Sequence, residues 1–189
     1  MREKKLIRAC LKGNTSAQRQ LYELHRTNMF MLCLRYMPTR EDAEDVLQEG
    51  FIKVFRDLKQ FDRKRGQLKT WMKRVFINTA LEHLRSKKRF FPTEEINPNS
   101  ELHAVNDEAF SNMAAKELIQ LIKRLPTGYR LVFNMYVIEG YSHKEIAQQL
   151  NVSVSTSKSQ LFKAKAMLRK QIKNINATVV LNYGTQQVQ

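Results

Sequence analysis

The chain has 189 residues, of which 42% are hydrophobic, and its 33 Lys and Arg against 18 Asp and Glu give a formal net charge of +15 at pH 7. This apolar share excludes a wholly disordered chain, and the positive surplus predicts a polyanionic partner, either nucleic acid or an anionic membrane surface. Cys10 and Cys33 are too few and too far apart for a disulfide framework or a zinc site. No stretch approaches the roughly 18 apolar residues of a membrane-spanning helix, so we expect a soluble, unprocessed cytoplasmic protein.

The first 90 residues predict a bundle of helices, because their apolar residues recur every three or four positions and no segment alternates convincingly. Thr39 is the expected N-cap of a long helix with Glu41 and Asp42 in its first turn, where negative charge suits the helix dipole. The basic loop FDRKRGQ separates this helix from the next one. The predicted helices cover about residues 6–11, 16–25, 29–36, 40–58 and 68–87.

An acidic block, EDAEDVLQEG at residues 41–50, holds five carboxylates and no positive charge. The helix dipole explains the carboxylates of the first turn but leaves Asp45 and Glu49 without a structural purpose.

The segment after the acidic block is strongly basic. Between Ile52 and Phe90, thirteen Lys or Arg stand against three carboxylates, with aromatic residues between them. Cations that follow a backbone and rings on which unpaired bases stack suit single-stranded nucleic acid. Phe55 and Phe76 are expected in the core, whereas Trp71, in the first turn after the basic loop, suits the core and a stacking platform equally.

Residues 91–112 have the composition of a linker, with two Pro, five carboxylates and no Lys or Arg. The sequence therefore predicts an all-α protein of two small helical domains, 1–90 and 113–174, joined by a flexible acidic linker. No role is predicted for the tail at 175–189.

The second domain is predicted to contain a helix-turn-helix. Ser142 and Glu145 form a capping box that starts a helix, and Asn151 tolerates the left-handed turn that ends it. Ser153 or Ser155 then caps the last helix, whose inner stripe is Ser157, Leu161, Ala164, Leu168 and Ile172. Two amphipathic helices precede this motif, with core positions at Leu118, Leu121, Ile122, Leu125, Val132, Phe133, Tyr136 and Val137.

The outer face of the last helix combines short hydroxyl side chains with cations. Hydroxyl groups leave room to approach base edges and cations neutralise phosphates, so this face predicts a recognition helix in the major groove. A solvated basic face on an ordinary helical hairpin is the alternative. The candidate residues are Ser155, Thr156, Lys158, Ser159, Phe162, Lys163 and Lys165.

Two segments together resemble the extracytoplasmic-function class of bacterial RNA polymerase sigma factors. REDAEDVLQEGFIKVFRDLKQFDRKRGQLKTWMKRVFINTALEHLR is similar to the family's polymerase-binding and promoter-melting region. LPTGYRLVFNMYVIEGYSHKEIAQQLNVSVSTSKSQLFKAKAMLRK is similar to its second domain. The chain departs from the family's pattern at Val154, Ser155 and Ser157, the last of which replaces an aliphatic residue of many relatives.

The resemblance implies a task for each surface. The acidic block would dock on the clamp of the polymerase's largest subunit through Asp42, Asp45, Gln48, Glu49 and Phe51. Melting at the minus-ten element would use Arg63, Lys64, Arg65, Trp71, Lys73, Arg74, Asn78, Arg85, Lys87 and Lys88. The second domain would read the minus-thirty-five element, with Tyr129 and Phe133 packing near the polymerase flap. A cognate anti-sigma factor is a further partner that the family implies.

Other classes of function explain less of the sequence. A stand-alone helix-turn-helix regulator would account for the second domain and the net charge, but it gives no task to the acidic block. A metal-dependent nuclease needs convergent carboxylates or histidines, and membrane binding needs large exposed apolar residues on a basic helix. The four histidines are scattered and the basic helices use their apolar residues in a core. We therefore expect no enzymatic activity, no metal, no cofactor and no membrane insertion.

Overall fold

The computed structural model describes residues 2–87 and 113–184, and it describes side chains for 3–87 and 118–173. Every regular element in these ranges is helical, which confirms the prediction of an all-α protein. The chain divides into two compact units, residues 1–111 and 112–189. The predicted linker at 91–112 lies outside the described residues.

The described part of the first unit contains four helices, two of which begin at side-chain caps. The Thr39 hydroxyl oxygen accepts a hydrogen bond from the backbone N–H of Asp42 at 3.1 Å, and Asn14 caps the backbone N–H of Ala17 at 2.9 Å. The second, third and fourth helices pack against one another in all three pairings, and the first lies against the second. The helices are α1 (Arg2–Leu11), α2 (Thr15–Tyr36), α3 (Arg40–Asp57) and α4 (Leu68–Ser86), with short 3₁₀ turns at Leu58–Gln60 and Arg63–Arg65.

α2 is one continuous helix of 22 residues, so the predicted break between His25 and Met29 is wrong. The three residues between those positions include neither Gly nor Pro, and nothing there obliges the backbone to leave the helix. Burial of Met29, Leu32 and Cys33 continues the inner stripe that Leu21 begins.

Gly50 on α3 lies directly against the ring of Phe76 on α4. A Cβ atom placed at Gly50 falls 2.6 Å from Cδ1 and 2.8 Å from Cζ of that ring. Phe76 is fully buried and packs edge-on against Phe51, with 5.2 Å between ring centroids, so its ring has little room to move. The absence of a side chain at Gly50 therefore permits the close packing of these two helices.

Gly50→Ala should destabilise the protein, although alanine in a helix interior is normally favoured over glycine by about 1 kcal/mol. Overpacking a buried site costs about 1–3 kcal/mol, and each kcal/mol lost lowers Tm by about 4–8 °C in a unit of this size. Thermal unfolding followed by circular dichroism measures the change. Gln48→Ala, at an exposed position of the same helix, is the control and should leave Tm nearly unchanged. A higher Tm for Gly50→Ala would contradict this expectation, because it would show that the Phe76 ring can move to make room for the added methyl group.

In the second unit, the last helix that the structure describes is the one against which the other helices pack. The three preceding helices each contact it. Its Ala164 and Leu168 form a buried cluster with Leu121 and Leu125, against which Tyr129, Phe133 and Met167 are partly buried. The elements are α5 (Met113–Lys123), α6 (Thr127–Phe133), a π-helical turn (Asn134–Ile138), α7 (His143–Leu150) and α8 (Val154–Gly184).

Several core predictions for the second unit are wrong. Tyr136 and Val137 are exposed because the π-helical turn takes an extra residue and rotates the later side chains around the helix axis, so that Asn134 and Met135 are buried instead. Leu118 and Ile172 are also exposed. Tyr129 and Phe133, which the resemblance places near the polymerase flap, are partly buried against the core of their own unit.

The predicted helix, turn and helix all form. The Ser142 hydroxyl oxygen accepts from the backbone N–H of Glu145 at 3.2 Å, and the Glu145 carboxylate accepts from the backbone N–H of Ser142 at 2.8 Å. Asn151 ends α7 in the left-handed conformation, with φ 53° and ψ 49°. Ser153 caps α8 by accepting from the backbone N–H of Thr156 at 2.9 Å. α8 remains helical to Gly184, beyond the predicted domain end at Asn174.

Candidate functional site

Part of the acidic block forms one exposed face of α3. Asp45, Gln48 and Glu49 are exposed, and their spacing of three and four residues places them on one side of the helix. Ile52 belongs to the same side and is 66% exposed, although it is not among the predicted docking residues. We call these four residues, Asp45, Gln48, Glu49 and Ile52, the α3 face.

Two residues predicted for that face lie in the interior instead. Phe51 is 4% exposed, and its ring lies 4.6 Å from that of Tyr22 and 5.2 Å from that of Phe76. The Asp42 carboxylate, also 4% exposed, is bound by the Lys87 ammonium and by Nε2 of His83 at 3.1 Å. The prediction that Asp42 and Phe51 form part of an exposed docking surface is therefore wrong.

Asp42 instead joins the start of α3 to the end of α4. Burial would raise the pKa of its carboxyl, but hydrogen bonds from Lys87, His83 and Thr39 outweigh that effect and hold the pKa well below its usual range. The ligand atoms of Asp42, His83 and Asp45 lie within 4.8 Å of one another. A cation placed among them would have to displace the Lys87 ammonium.

Lys53 connects the α3 face to α4. Its ammonium lies 2.8 Å from the Glu49 carboxylate and 2.6 Å from that of Glu82. Burial would lower the pKa of Lys53, but the hydrogen bonds to both carboxylates raise it. Exposed ion pairs contribute little to stability, so the main consequence is that Glu49 is held in place. The sequence carries no signal for Glu82, since it meets Lys53 only because α3 and α4 pack together.

A basic turn and an aromatic pair lie at the start of α4. Asp62 caps the turn by accepting from the backbone N–H of Lys64 at 2.9 Å, and all three cations of Arg63–Arg65 are exposed. The rings of Phe61 and Trp71 are tilted against each other with 5.8 Å between centroids, and both are partly buried. The predicted basic loop is thus an ordered turn held beside an aromatic pair.

The predicted minus-ten residues on α4 do not all share one face. At 100° per residue, Arg74, Asn78 and Arg85 fall within about 60° of Trp71, whereas Lys73 lies about 160° away. Lys73 is also half-buried. Lys73 therefore lies on a different side of α4 from the other predicted minus-ten residues of that helix, and Lys87 is already paired with Asp42. Lys88 lies outside the described residues. We call Trp71, Arg74, Asn78 and Arg85 the α4 face.

The outer side of α8 presents nearly all the predicted recognition residues to solvent. Ser155, Lys158, Ser159, Lys163 and Lys165 are exposed, Thr156 is half-buried, and Phe162 is 72% exposed. A large apolar ring this accessible contributes little to the fold. We call these seven residues, Ser155, Thr156, Lys158, Ser159, Phe162, Lys163 and Lys165, the α8 face.

His143 and Ser157 join the first turns of α7 and α8. Nδ1 of His143 lies 2.9 Å from the hydroxyl oxygen of Ser157, which is fully buried, and the imidazole stacks on the Tyr136 ring with 4.4 Å between centroids. Burial and the charges of Lys158 and Lys165 lower the pKa of His143. The departure from an aliphatic residue at Ser157 thus has a structural reason, which sequence reasoning could not supply without the partner.

Comparison with known proteins decides the family. The model for Sigma-70 region 2 matches residues 21–90, and the model for Sigma-70, region 4 matches residues 115–168. The ECF RNA polymerase sigma-E factor of Escherichia coli K12 is 30% identical over 174 residues, covering 85% of this chain and 88% of that protein. This chain belongs to the extracytoplasmic-function (ECF) class of RNA polymerase sigma factors.

Other members of the ECF class match over similar lengths. The ECF RNA polymerase sigma factor SigW of Bacillus subtilis is 28% identical over 183 residues, covering 91% of this chain and 97% of SigW. Among solved structures, the sigma factor RpoE bound to the anti-sigma factor NepR from Bartonella quintana aligns with a TM-score of 0.52 at 17% identity, covering 82% of this chain and 96% of that one. CnrH in complex with the cytosolic domain of CnrY aligns with a TM-score of 0.50 at 21% identity, covering 89% and 96%. These structures support the fold.

As an ECF sigma factor, the protein binds core RNA polymerase and directs it to promoter DNA for transcription initiation. The match to region 2 as well as to region 4 disfavours a stand-alone helix-turn-helix regulator, because such a regulator would have no use for region 2. The family is not one of enzymes. In the parts of the chain that the structure describes, none of the helices is both long enough and apolar enough to cross a membrane.

Proposed function

We propose that this sigma factor divides its two partners by charge, with polymerase on the α3 face and promoter DNA on the cationic surfaces. The observation that carries the proposal is the exposure of Asp45, Gln48 and Glu49 together in a chain of net charge +15. Carboxylates repel DNA phosphate and attract a basic protein surface. The partner surface is the clamp of the polymerase's largest subunit, and the exposed Ile52 supplies an apolar contact beside the carboxylates.

The minus-ten element is engaged by the basic turn and the α4 face. Phe61 and Trp71 offer stacking surfaces for bases released from the duplex, at about 1–3 kcal/mol per stacked base. The exposed cations of Arg63–Arg65 and the α4 face hold the backbone of the same strand. Lys87 contributes to this only after leaving Asp42.

The minus-thirty-five element is read by the α8 face in the major groove. Hydroxyl groups and Phe162 approach the base edges, while Lys158, Lys163 and Lys165 neutralise phosphates. The polymerase flap remains a predicted partner of this unit.

Three further properties are consistent with this role. A cognate anti-sigma factor is a partner, which is supported by the alignment with a sigma factor solved in complex with one. The protein works in the bacterial cytoplasm and joins the nucleoid as part of the holoenzyme, because its partners are there. It has no catalytic activity of its own.

Run-off transcription tests the proposal as a whole. Core polymerase reconstituted with the full chain should make a discrete transcript from the promoter of the protein's own operon, and core polymerase alone should not. Absence of that transcript on this promoter and on a set of genomic fragments, with an assembled holoenzyme, would contradict the proposed promoter recognition.

Lys163→Ala should weaken holoenzyme binding to the minus-thirty-five element, which lies upstream of the minus-ten element, by about the same factor for all DNA sequences. Loss of one phosphate contact makes the plot of log affinity against log salt shallower by about one unit. Fluorescence anisotropy of labelled promoter DNA across a salt series measures this slope. Lys12→Ala removes the same charge from an exposed position between α1 and α2 and should change neither affinity nor slope. A change in base preference with the slope intact would show that Lys163 contacts a base.

A further inference from the structure

His143 is held in one orientation by partners on two sides of its ring. Its Nδ1 lies 2.9 Å from the Ser157 hydroxyl oxygen, and the ring stacks on Tyr136 at an interplanar angle of 25°. His143 is the first residue of α7, next to the Ser142 cap, so the ring sits where two helices of the motif begin. Tyr136, exposed by the π-helical turn, therefore serves as a platform for this ring.

The hydrogen bond to Ser157 determines which nitrogen carries the proton. A fully buried hydroxyl needs an acceptor for its hydrogen. Among the described side chains, the partner found for the Ser157 hydroxyl is Nδ1 of His143. With Ser157 as the donor to Nδ1, the hydrogen of the neutral ring is on Nε2. A second proton on Nδ1 would oppose this hydrogen bond and add charge beside Lys158 and Lys165.

The Nε2–H group remains available to donate a hydrogen bond to a ligand. It lies across the ring from Nδ1, so it points away from the buried Ser157, and the ring is only half-buried. Lys158 and Lys165, whose charges act on His143, both belong to the α8 face. The imidazole thus lies beside the cations assigned to DNA, near the start of the helix that crosses the DNA backbone in a helix-turn-helix.

We propose that His143 binds the promoter backbone as a neutral donor: Nε2–H donates to a phosphate oxygen at the edge of the upstream element, with Ser157 and Tyr136 as positioning residues. This rests on the proposed assignment of the α8 face to that element. The contact differs from those of the lysines because the imidazole that donates it carries no net charge. It therefore adds affinity without releasing a counterion.

Single uncharged methylphosphonates along the upstream element test the contact, with holoenzyme affinity as the readout. In the wild type, one position bordering the element should weaken binding about five-fold through the loss of the His143 hydrogen bond. His143→Phe, which keeps a ring for Tyr136 but has no donor, should weaken binding by a similar factor and make that position insensitive. His143→Gln, which keeps an N–H donor, should restore part of the sensitivity. Thermal unfolding of each variant monitors the fold.

The salt series separates a neutral donor from a charged one. His143→Phe should leave the slope of log affinity against log salt unchanged, whereas a slope shallower by about one unit would overturn the neutral assignment. Ser157→Ala should reduce sensitivity at the same phosphate without abolishing it, and wild-type behaviour of this variant would overturn the positioning role. If the loss of affinity from His143→Phe simply adds to the loss from the methylphosphonate at every position, the proposed contact does not exist. If Lys163→Ala also binds as the wild type does, the assignment of the α8 face fails; if only Lys163 matters, this inference alone fails.

Discussion

Reversing two charges on the α3 face, Asp45→Lys together with Glu49→Lys, is expected to abolish co-elution with core RNA polymerase while leaving the helical content unchanged. Both side chains are exposed on one side of α3, so lysine fits at either position without a steric conflict. Removing a partner from a close interfacial charge pair costs about 2–5 kcal/mol, and reversal adds repulsion to that loss. Two such losses would raise the dissociation constant of a micromolar or nanomolar complex by about a thousand-fold or more. Size-exclusion chromatography of the mixed proteins measures assembly.

A matched control separates the position of the charges from their number. Glu3→Lys with Glu23→Lys makes the same change in net charge on exposed parts of α1 and α2, and it should leave co-elution intact. Circular dichroism should give the same spectrum for both double variants, because Lys53 retains Glu82 when Glu49 is lost. Unchanged co-elution of the α3 variant would show that polymerase binds elsewhere.

The α3 helix shows where reasoning from sequence succeeds and where it stops. The Thr39 cap and the helix from residue 40 follow from local chemistry, namely a hydroxyl before acidic residues and an apolar stripe at helical spacing. The same local view treats neighbouring carboxylates as equivalent. Only tertiary contacts separate Asp42, which binds His83 and Lys87, from Asp45, which faces solvent. Phe51 and Ile52 also differ only through packing: a helix places adjacent residues about 100° apart, and here Phe51 is buried while Ile52 is exposed.

In the second unit, the helix starts and the turn with the strongest local signals form as predicted. The capping box at Ser142, the left-handed Asn151 and the cap at Ser153 each depend on residues within three or four positions. The π-helical turn before it left no such signal, and it reversed the burial predicted for Tyr136 and Val137. The pairing of His143 with Ser157 spans 14 positions, so it became visible only with α7 and α8 in contact.

Trp71→Ala is expected to impair formation of the open promoter complex by about five-fold or more while leaving closed-complex binding nearly unchanged. Base stacking on an aromatic ring contributes about 1–3 kcal/mol, and it is available only once the duplex is open. Trp71 pairs with Phe61 at 5.8 Å beside the exposed cations of Arg63–Arg65, so bases and phosphates of one strand can be held together. Permanganate reactivity of thymines in the melted region measures opening, and filter binding at low temperature measures the closed complex.

Trp71 is also partly buried, so the experiment must distinguish a stacking surface from a core residue. Trp71→Phe keeps an aromatic ring against Phe61 and should preserve most of the opening activity, whereas Trp71→Leu keeps apolar bulk without a stacking face and should lose it. A core role predicts the opposite grouping, in which Phe and Leu behave alike and Ala loses Tm as well as activity. Equal losses of closed and open complexes for Trp71→Ala would likewise assign the ring to the fold. The difference between Phe and Leu is thus the result that identifies stacking, since both side chains fill the site but only one can receive a base.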